Sequence, residues 1–247
     1  MIKKIIKTTS PTLTIACREL RSHFDSLSAY ILLVLFLGFS GIFTWIYGSD
    51  VFFYGQASLQ AFFSTAYVTL FLLIPALTMR TIADEMRGGT IEMLLTKPVT
   101  RWQIVAGKYL SVMLLITIAL ALTLPYYATV ACLGNIDHGA VLCGYFGLLL
   151  MSSAYAGIGL FASSISGNPI VSFLISLAIG LLFHIGFGIV GHQFGGIGGQ
   201  VALCFDMNSH FDSIARGVID SKDIVYFASV TFAGLFAAEK TLESKTA

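Results

Sequence analysis

The sequence predicts an all-α, polytopic membrane protein. Three observations carry this: a shortage of charge, apolar runs of membrane-crossing length, and a clean separation of charges from runs. Of the 247 residues, 56% are hydrophobic and 11% charged, against about 25% charged in an average soluble domain. Mean hydropathy is +0.85, which leaves too little polar surface to keep a soluble domain of this size dissolved. A helix crossing the hydrocarbon core needs about 20 apolar residues. Runs at 29–47, 62–79, 110–132, 140–162 and 170–190 meet that need, and a sixth at 224–238 is only 15 residues long. All 13 Asp and Glu and all 14 Lys and Arg lie outside the six runs, and one such charge at mid-bilayer costs at least about 2.5–3.5 kcal/mol. The chain reads as one transmembrane domain over 1–247 with six transmembrane helices. The short sixth span borrows flanking residues from the Lys222 and Asp223 end or lies in thinned lipid.

Orientation follows from the cations, which collect on the cytoplasmic side. With the N-terminus inside, 12 of the 14 Lys and Arg are cytoplasmic, and only Arg216 and Lys222 fall outside. Both termini are expected in the cytoplasm. The first run starts too late and lacks the small-residue cleavage pattern of a removable signal peptide. A net charge of +1 implies no nucleic-acid partner. The four cysteines show no metal-ligand spacing. Cys132 and Cys143 flank the short outer loop, where they either pair as a disulfide on an oxidising face or serve as small apolar residues at helix ends.

Taken in order, the elements begin with Ser10 and Pro11, which read as an N-cap and first helical position. Leu13, Cys17, Leu20 and Phe24 then recur at helical spacing with charges on the other faces, the pattern of an amphipathic helix lying in the cytoplasmic interface. Between the second and third spans, the segment 80–108 carries eight charged residues. Gly88 and Gly89 break a helix continuing from the second span. Thr90 caps a short helix with Glu92 in its positive first turn, and Pro98 ends it. Thr100 and Gln103 form a capping box, with Val99 and Ile104 placed as a hydrophobic staple, so the next helix starts near Arg101. The segment is a shaped cytoplasmic knob.

In the fifth span Ser172, Ser176, Gly180, His184 and Gly188 recur every four residues, a stripe that lets another helix approach closely, across a dimer of the chain included. His184 is the only Asp, Glu, Lys, Arg or His within any span. The favoured reading is a neutral histidine hydrogen-bonded across a helix interface, because no carboxylate or second histidine accompanies it within the spans. The outer segment 191–223 opens with Gly195, Gly196, Gly198 and Gly199, which match no nucleotide loop. Farther on, Phe211, Ile214, Ala215 and Val218 share a helical face, with Ser209 and Asp212 at its start. That pattern predicts a short helix resting on or dipping into the outer leaflet.

The only Gly-Lys pair, Gly107-Lys108, precedes Tyr109 at the head of a membrane helix and cannot be a phosphate loop. No nucleophile elbow or zinc motif is present, so catalysis by this chain is not expected.

Four stretches carry a resemblance. They are Ile74 to Arg80 continuing through Asp84 to Pro98 and Gly107-Lys108, then Arg18 to Phe24, Gly159 to Asn168, and Arg216 to Asp220. The first resembles the signature cytoplasmic region of type-2 ABC exporter permeases. All together they resemble most the GldF family of gliding-motility ABC permeases, and NosY-like permeases share much of the pattern. The resemblance implies that the short cytoplasmic helix is a coupling helix docking on a separate ABC ATPase subunit. Its contact would comprise Asp84, Glu85, Arg87, Gly88, Gly89, Thr90, Glu92, Leu94, Leu95, Lys97 and Pro98. It implies a second permease half, either an identical chain or a GldG-like partner, in the lipid of the bacterial inner membrane. ATP and Mg would sit on the ATPase, with no cofactor in this chain. The uncharged spans fit a hydrophobic, lipid-like or bulky cargo, or force transmission with none. Two rival classes are a membrane scaffold that moves nothing and a proton-driven secondary transporter, for which His184 is the only candidate.

Overall fold

A computed structural model describes residues 11–46, 58–90, 99–193 and 196–246. Among these the chain is helical throughout, with no strand. Helix α1 is Pro11–Asp25, α2 Leu27–Trp45, α3 Gln60–Thr78, α4 Ala83–Arg87, α5 Arg101–Ala121, α6 Leu124–Leu133 and α7 His138–Ile165. Then come α8 Pro169–Leu181, a π-helical turn Leu182–Gly186, α9 Phe187–Gln193, α10 Ile197–Leu203, α11 Met207–Ala215 and α12 Ser221–Thr246.

Among the described residues, five helical stretches are long and apolar enough to cross a membrane: Leu27–Trp45, Gln60–Arg87, Arg101–Leu133, His138–Ile165 and Pro169–Gln193. The expected sixth run sits within α12, whose 26 residues extend about 39 Å at 1.5 Å per residue. Its length suffices, while Lys222 and Asp223 at one end and Glu239 and Lys240 at the other keep its composition below that of the five.

Helix α7 is the axis of the bundle, packing on α3, α5, α8, α11 and α12. Its most extensive pairing, with α12, depends on an approach of bare backbones. A Cβ on Gly234 would lie 2.6 Å from the carbonyl carbon of Gly157, a contact only hydrogen can occupy. In lipid no hydrophobic drive pulls helices together, so close van der Waals packing of this kind supplies the attraction. The main core joins Phe36 of α2, Phe62 and Leu70 of α3, Leu115 of α5, Tyr155 of α7, Phe211 of α11 and Phe227 of α12. A smaller core of Ile82, Val105, Leu160, Leu235, Ala238 and Leu242 lies at the end of the bundle that carries α4.

The structure corrects several expectations. The run 110–132 is not one straight helix, because α5 ends at Ala121 and α6 starts at Leu124. Pro125 has no N–H for the ladder and its ring crowds the carbonyl four residues back. At the break the Thr123 carbonyl accepts from the Tyr126 N–H at 2.9 Å and from the Tyr145 hydroxyl at 3.2 Å. The run 170–190 is likewise interrupted, by the π turn around His184. In α1 Ile15, Ala16 and Glu19 face inward together with Leu20 and Phe24, which pack on the core, whereas Leu13 and Cys17 are exposed, so only the second half of the expected apolar face is covered by protein. Ser10 lies outside the described residues. Helix α11 does not rest its apolar face on lipid: Phe211, Ile214 and Ala215 are buried, the first two against α7 at Gly147. Val218 is exposed beyond the helix end, and the N-cap is Asp206, which accepts from the Ser209 N–H at 3.2 Å. Cys132 and Cys143 are both free thiols.

Candidate functional site

The elbow between α3 and α4 is held by buried polar groups. After α3 ends at Thr78 the chain turns through Met79 to Ile82 into α4, leaving backbone groups without helical partners. One hydroxyl on α7 satisfies three of them. Ser163 Oγ donates to the Met79 carbonyl and accepts from the N–H groups of Ile82 and Ala83, each at 3.1 Å.

Lys108 of α5, only 1% exposed, reaches the same elbow. Its ammonium donates to the Thr81 carbonyl at 2.7 Å, pairs with Glu85 of α4 at 2.8 Å, and lies 3.5 Å from Glu19 of α1. Arg18 completes the cluster, 2.7 Å from Glu19 and 3.9 Å from Glu85. Burial pushes the Glu19 carboxyl up, but Lys108 and then Arg18 outweigh it, and its pKa is lowered. The approach of α1 requires Gly107, where a Cβ would lie 2.8 Å from Ile15. Three helices remote in sequence therefore share one buried cation.

Glu85 is half-buried and ion-paired inside the chain. Asp84, Arg87, Gly88, Gly89 and Thr90 are exposed at the tip. Gly89 has φ +66°, a left-handed conformation that glycine adopts without a Cβ clash, and it turns the chain just after α4. Glu92, Leu94, Leu95, Lys97 and Pro98 lie outside the described residues. The far side of the segment is pinned by the capping box. The Gln103 N–H donates to Thr100 Oγ1 at 3.2 Å, and the Thr100 N–H donates to Gln103 Oε1 at 3.0 Å. Alongside, Arg101 is 3.7 Å from Glu243 of α12, and Lys245 donates to the last carbonyls of α7, at Ser164 and Ile165. A cation there complements the negative end of the helix dipole.

The stripe of the fifth span faces α3 and α7 of its own chain. Ser172, Ser176 and His184 are buried. A Cβ on Gly180 would touch Phe71 at 3.0 Å and Tyr155 at 3.4 Å, and one on Gly188 would touch Asp206 at 3.1 Å. His184 slots between Tyr67 and Phe71, which are one turn apart on α3, at ring-centroid distances of 4.4 and 4.5 Å. Phe211 of α11 extends the stack, 4.7 Å from Tyr67. His184 Nδ1 and the Tyr155 hydroxyl are hydrogen-bonded at 2.8 Å. The π turn widens the helix at this point, and such bulges serve to re-aim a side chain.

Sequence reasoning missed Lys108, Glu19 and Ser163. A signal existed for the first: Lys108 directly heads an apolar run, where an unpaired cation would be costly, so carboxylate partners had to be sought. Nothing in the sequence marks Ser163, since serine is common in membrane helices.

The family described as ABC-2 family transporter protein matches the chain over residues 13–203, well over half of its 247 residues. The chain belongs to that family. No curated protein sequence matches it. Membership makes the chain a multi-pass membrane permease of an ABC transporter, a subunit that carries no ATPase site and associates with an ABC ATPase. The matched range takes in α1, the elbow and the fifth-span stripe, and stops short of α11 and α12.

Proposed function

We propose that the segment 80–108 is the ATPase contact of this permease, and that it couples hydrolysis on the partner to movement of the helix bundle. The observation that carries the reading is the double anchorage of the segment. On one side Ser163 and Lys108 tie the elbow to α7, α5 and α1; on the other, the Thr100 cap and Arg101 tie it to α5 and α12. A push on the exposed tip between these anchors reaches four long elements at once, because the contacts are directional and those of Ser163 and Lys108 are buried. Asp84, Arg87 and Glu92 then supply charge for the partner surface, while Glu85 is the internal brace. ATP and Mg sit on the ATPase in this reading. The segment and both termini face the cytoplasm of a bacterial inner membrane. A second permease half, identical or GldG-like, completes the assembly. The work done is export of a hydrophobic or bulky cargo, or mechanical work of the gliding-motility kind.

The test is co-purification from detergent with the ATPase subunit, followed by ATP turnover in reconstituted membranes. Asp84→Lys and Glu92→Lys place like charges in the contact, which costs several kcal/mol where they meet a matching surface. Loss of ATPase binding or of permease-dependent turnover, with normal membrane insertion, is the expected result. Full binding and full turnover in both variants would leave the loop as a scaffold element and refute the coupling role.

A further inference from the structure

A cavity of about 570 Å³ opens beside the ring stack, walled by α3, the π turn with α9, and α11 with its N-cap. Its chemistry is one-sided. Asp206 and Asp212 both line it, with the imidazoles of His184 and His192, and no Lys or Arg does. Neither carboxylate has a cation within 4 Å among the described residues. Asp206 is only 6% exposed; one oxygen caps the Ser209 N–H, and the other lies against Gly188. A buried carboxylate without a counter-charge is costly unless a ligand completes it.

A second group points to the same ligand. Tyr67 is 4% exposed and lines the cavity, yet its hydroxyl has no hydrogen-bond partner. The neighbouring Tyr155 hydroxyl, hydrogen-bonded to His184, interacts with the Tyr67 hydroxyl without completing a hydrogen bond. The faces of the Tyr67 ring are taken by His184 and Phe211, so a cation cannot lie flat on it and must meet the hydroxyl at its edge. Val68, Ile185 and Ile189 form the apolar part of the wall and are exposed, beside the polar Ser64, Gln193 and Asn208.

We propose that this cavity binds the primary ammonium group of an amphiphile drawn from the membrane. The ammonium donates to Asp206, Asp212 and the Tyr67 hydroxyl, and the alkyl part lies along Val68, Ile185 and Ile189. Three N–H donors match three acceptors, whereas a quaternary ammonium offers none and an anion is repelled by both carboxylates. The proposal is independent of the ATPase contact, and its test contains no ATPase.

The test is calorimetric titration of the full chain in phosphatidylcholine nanodiscs, a lipid without a primary amine, with empty discs subtracted. Decylammonium is expected to bind saturably, at least about tenfold tighter than ethylammonium or decyltrimethylammonium, with decyl sulfate not binding, in line with the worth of charge-assisted hydrogen bonds. Asp206→Asn keeps a capping side chain for α11, and Tyr67→Phe keeps the ring stack. Each should weaken decylammonium about tenfold, and Lys222→Ala should not. If Asp206→Asn fails to insert, Tyr67→Phe with Asp212→Asn decides. Discs doped with phosphatidylethanolamine separate the sources: competition marks a lipid head group, its absence a free amphiphilic amine. No saturable binding, equal binding of decyltrimethylammonium or decyl sulfate, or unchanged affinity in the folded variants would overturn the proposal.

Discussion

Replacing Lys108 with Met removes the one cation that Glu19, Glu85 and the Thr81 carbonyl share. Breaking a buried ion pair by deleting one partner costs about 3–5 kcal/mol, since the surviving charge stays buried. Here the lower end applies, because Arg18 remains 2.7 Å from Glu19 and 3.9 Å from Glu85 and can take up part of the charge. A loss of about 3 kcal/mol lowers Tm by about 6–12 °C at this chain length, at 2–4 °C per kcal/mol. The triple variant Lys108→Met, Glu19→Gln, Glu85→Gln, which leaves no buried charge unpaired, should recover most of that loss.

The pH dependence carries a sign that a packing defect lacks. In the native protein the Glu19 pKa is held below its ordinary 4.5. Its contribution is therefore present above pH 4.5 and is lost as pH falls through the lower folded value. Without Lys108 the burial of Glu19 is opposed by Arg18 alone, its pKa moves up, and protonation becomes a relief. The gap in Tm between native protein and Lys108→Met should narrow as the pH is lowered below 4.5. Thermal unfolding in detergent between pH 3.5 and 7 measures it. A gap that is constant with pH, or a triple variant no more stable than the single one, would show that the cluster acts only by packing.

Two further outcomes test the frame around the site. Gly234→Ala sets a methyl group 2.6 Å from Gly157 backbone, where nothing can rotate away, and should destabilise the α7–α12 pair by about 1–3 kcal/mol, seen as a lower Tm and faster proteolysis of α12. Thr100→Ala removes one half of the capping box and should cost about 1 kcal/mol, read as an earlier unfolding transition, with Thr100→Ser close to native.

Much of the architecture was legible in the sequence because bilayer physics acts on single segments. An apolar run of sufficient length must be a helix whatever its neighbours, since every backbone group has to be satisfied within it. The start of α5 was legible for a related reason: Thr100 and Gln103 satisfy each other's N–H groups within four residues, so no distant partner enters. The small-residue stripe declared which face of the fifth span is narrow, though not what would fill the space.

Tertiary structure decided what depends on groups far apart in the chain. Glu85 reads as a free surface carboxylate until Lys108, 23 positions later, and Glu19, 66 positions earlier, are brought to its side. The inward face of α1 follows the same rule, because Glu19 meets Lys108 on the side where Ile15, Leu20 and Phe24 pack, which leaves Leu13 and Cys17 exposed. The slot between Tyr67 and Phe71 exists only once the π turn has carried His184 into it. Periodicity reports how a helix meets an average apolar medium; where a charge or a ring must find one particular partner, its energy lies in a distance that only the folded chain sets.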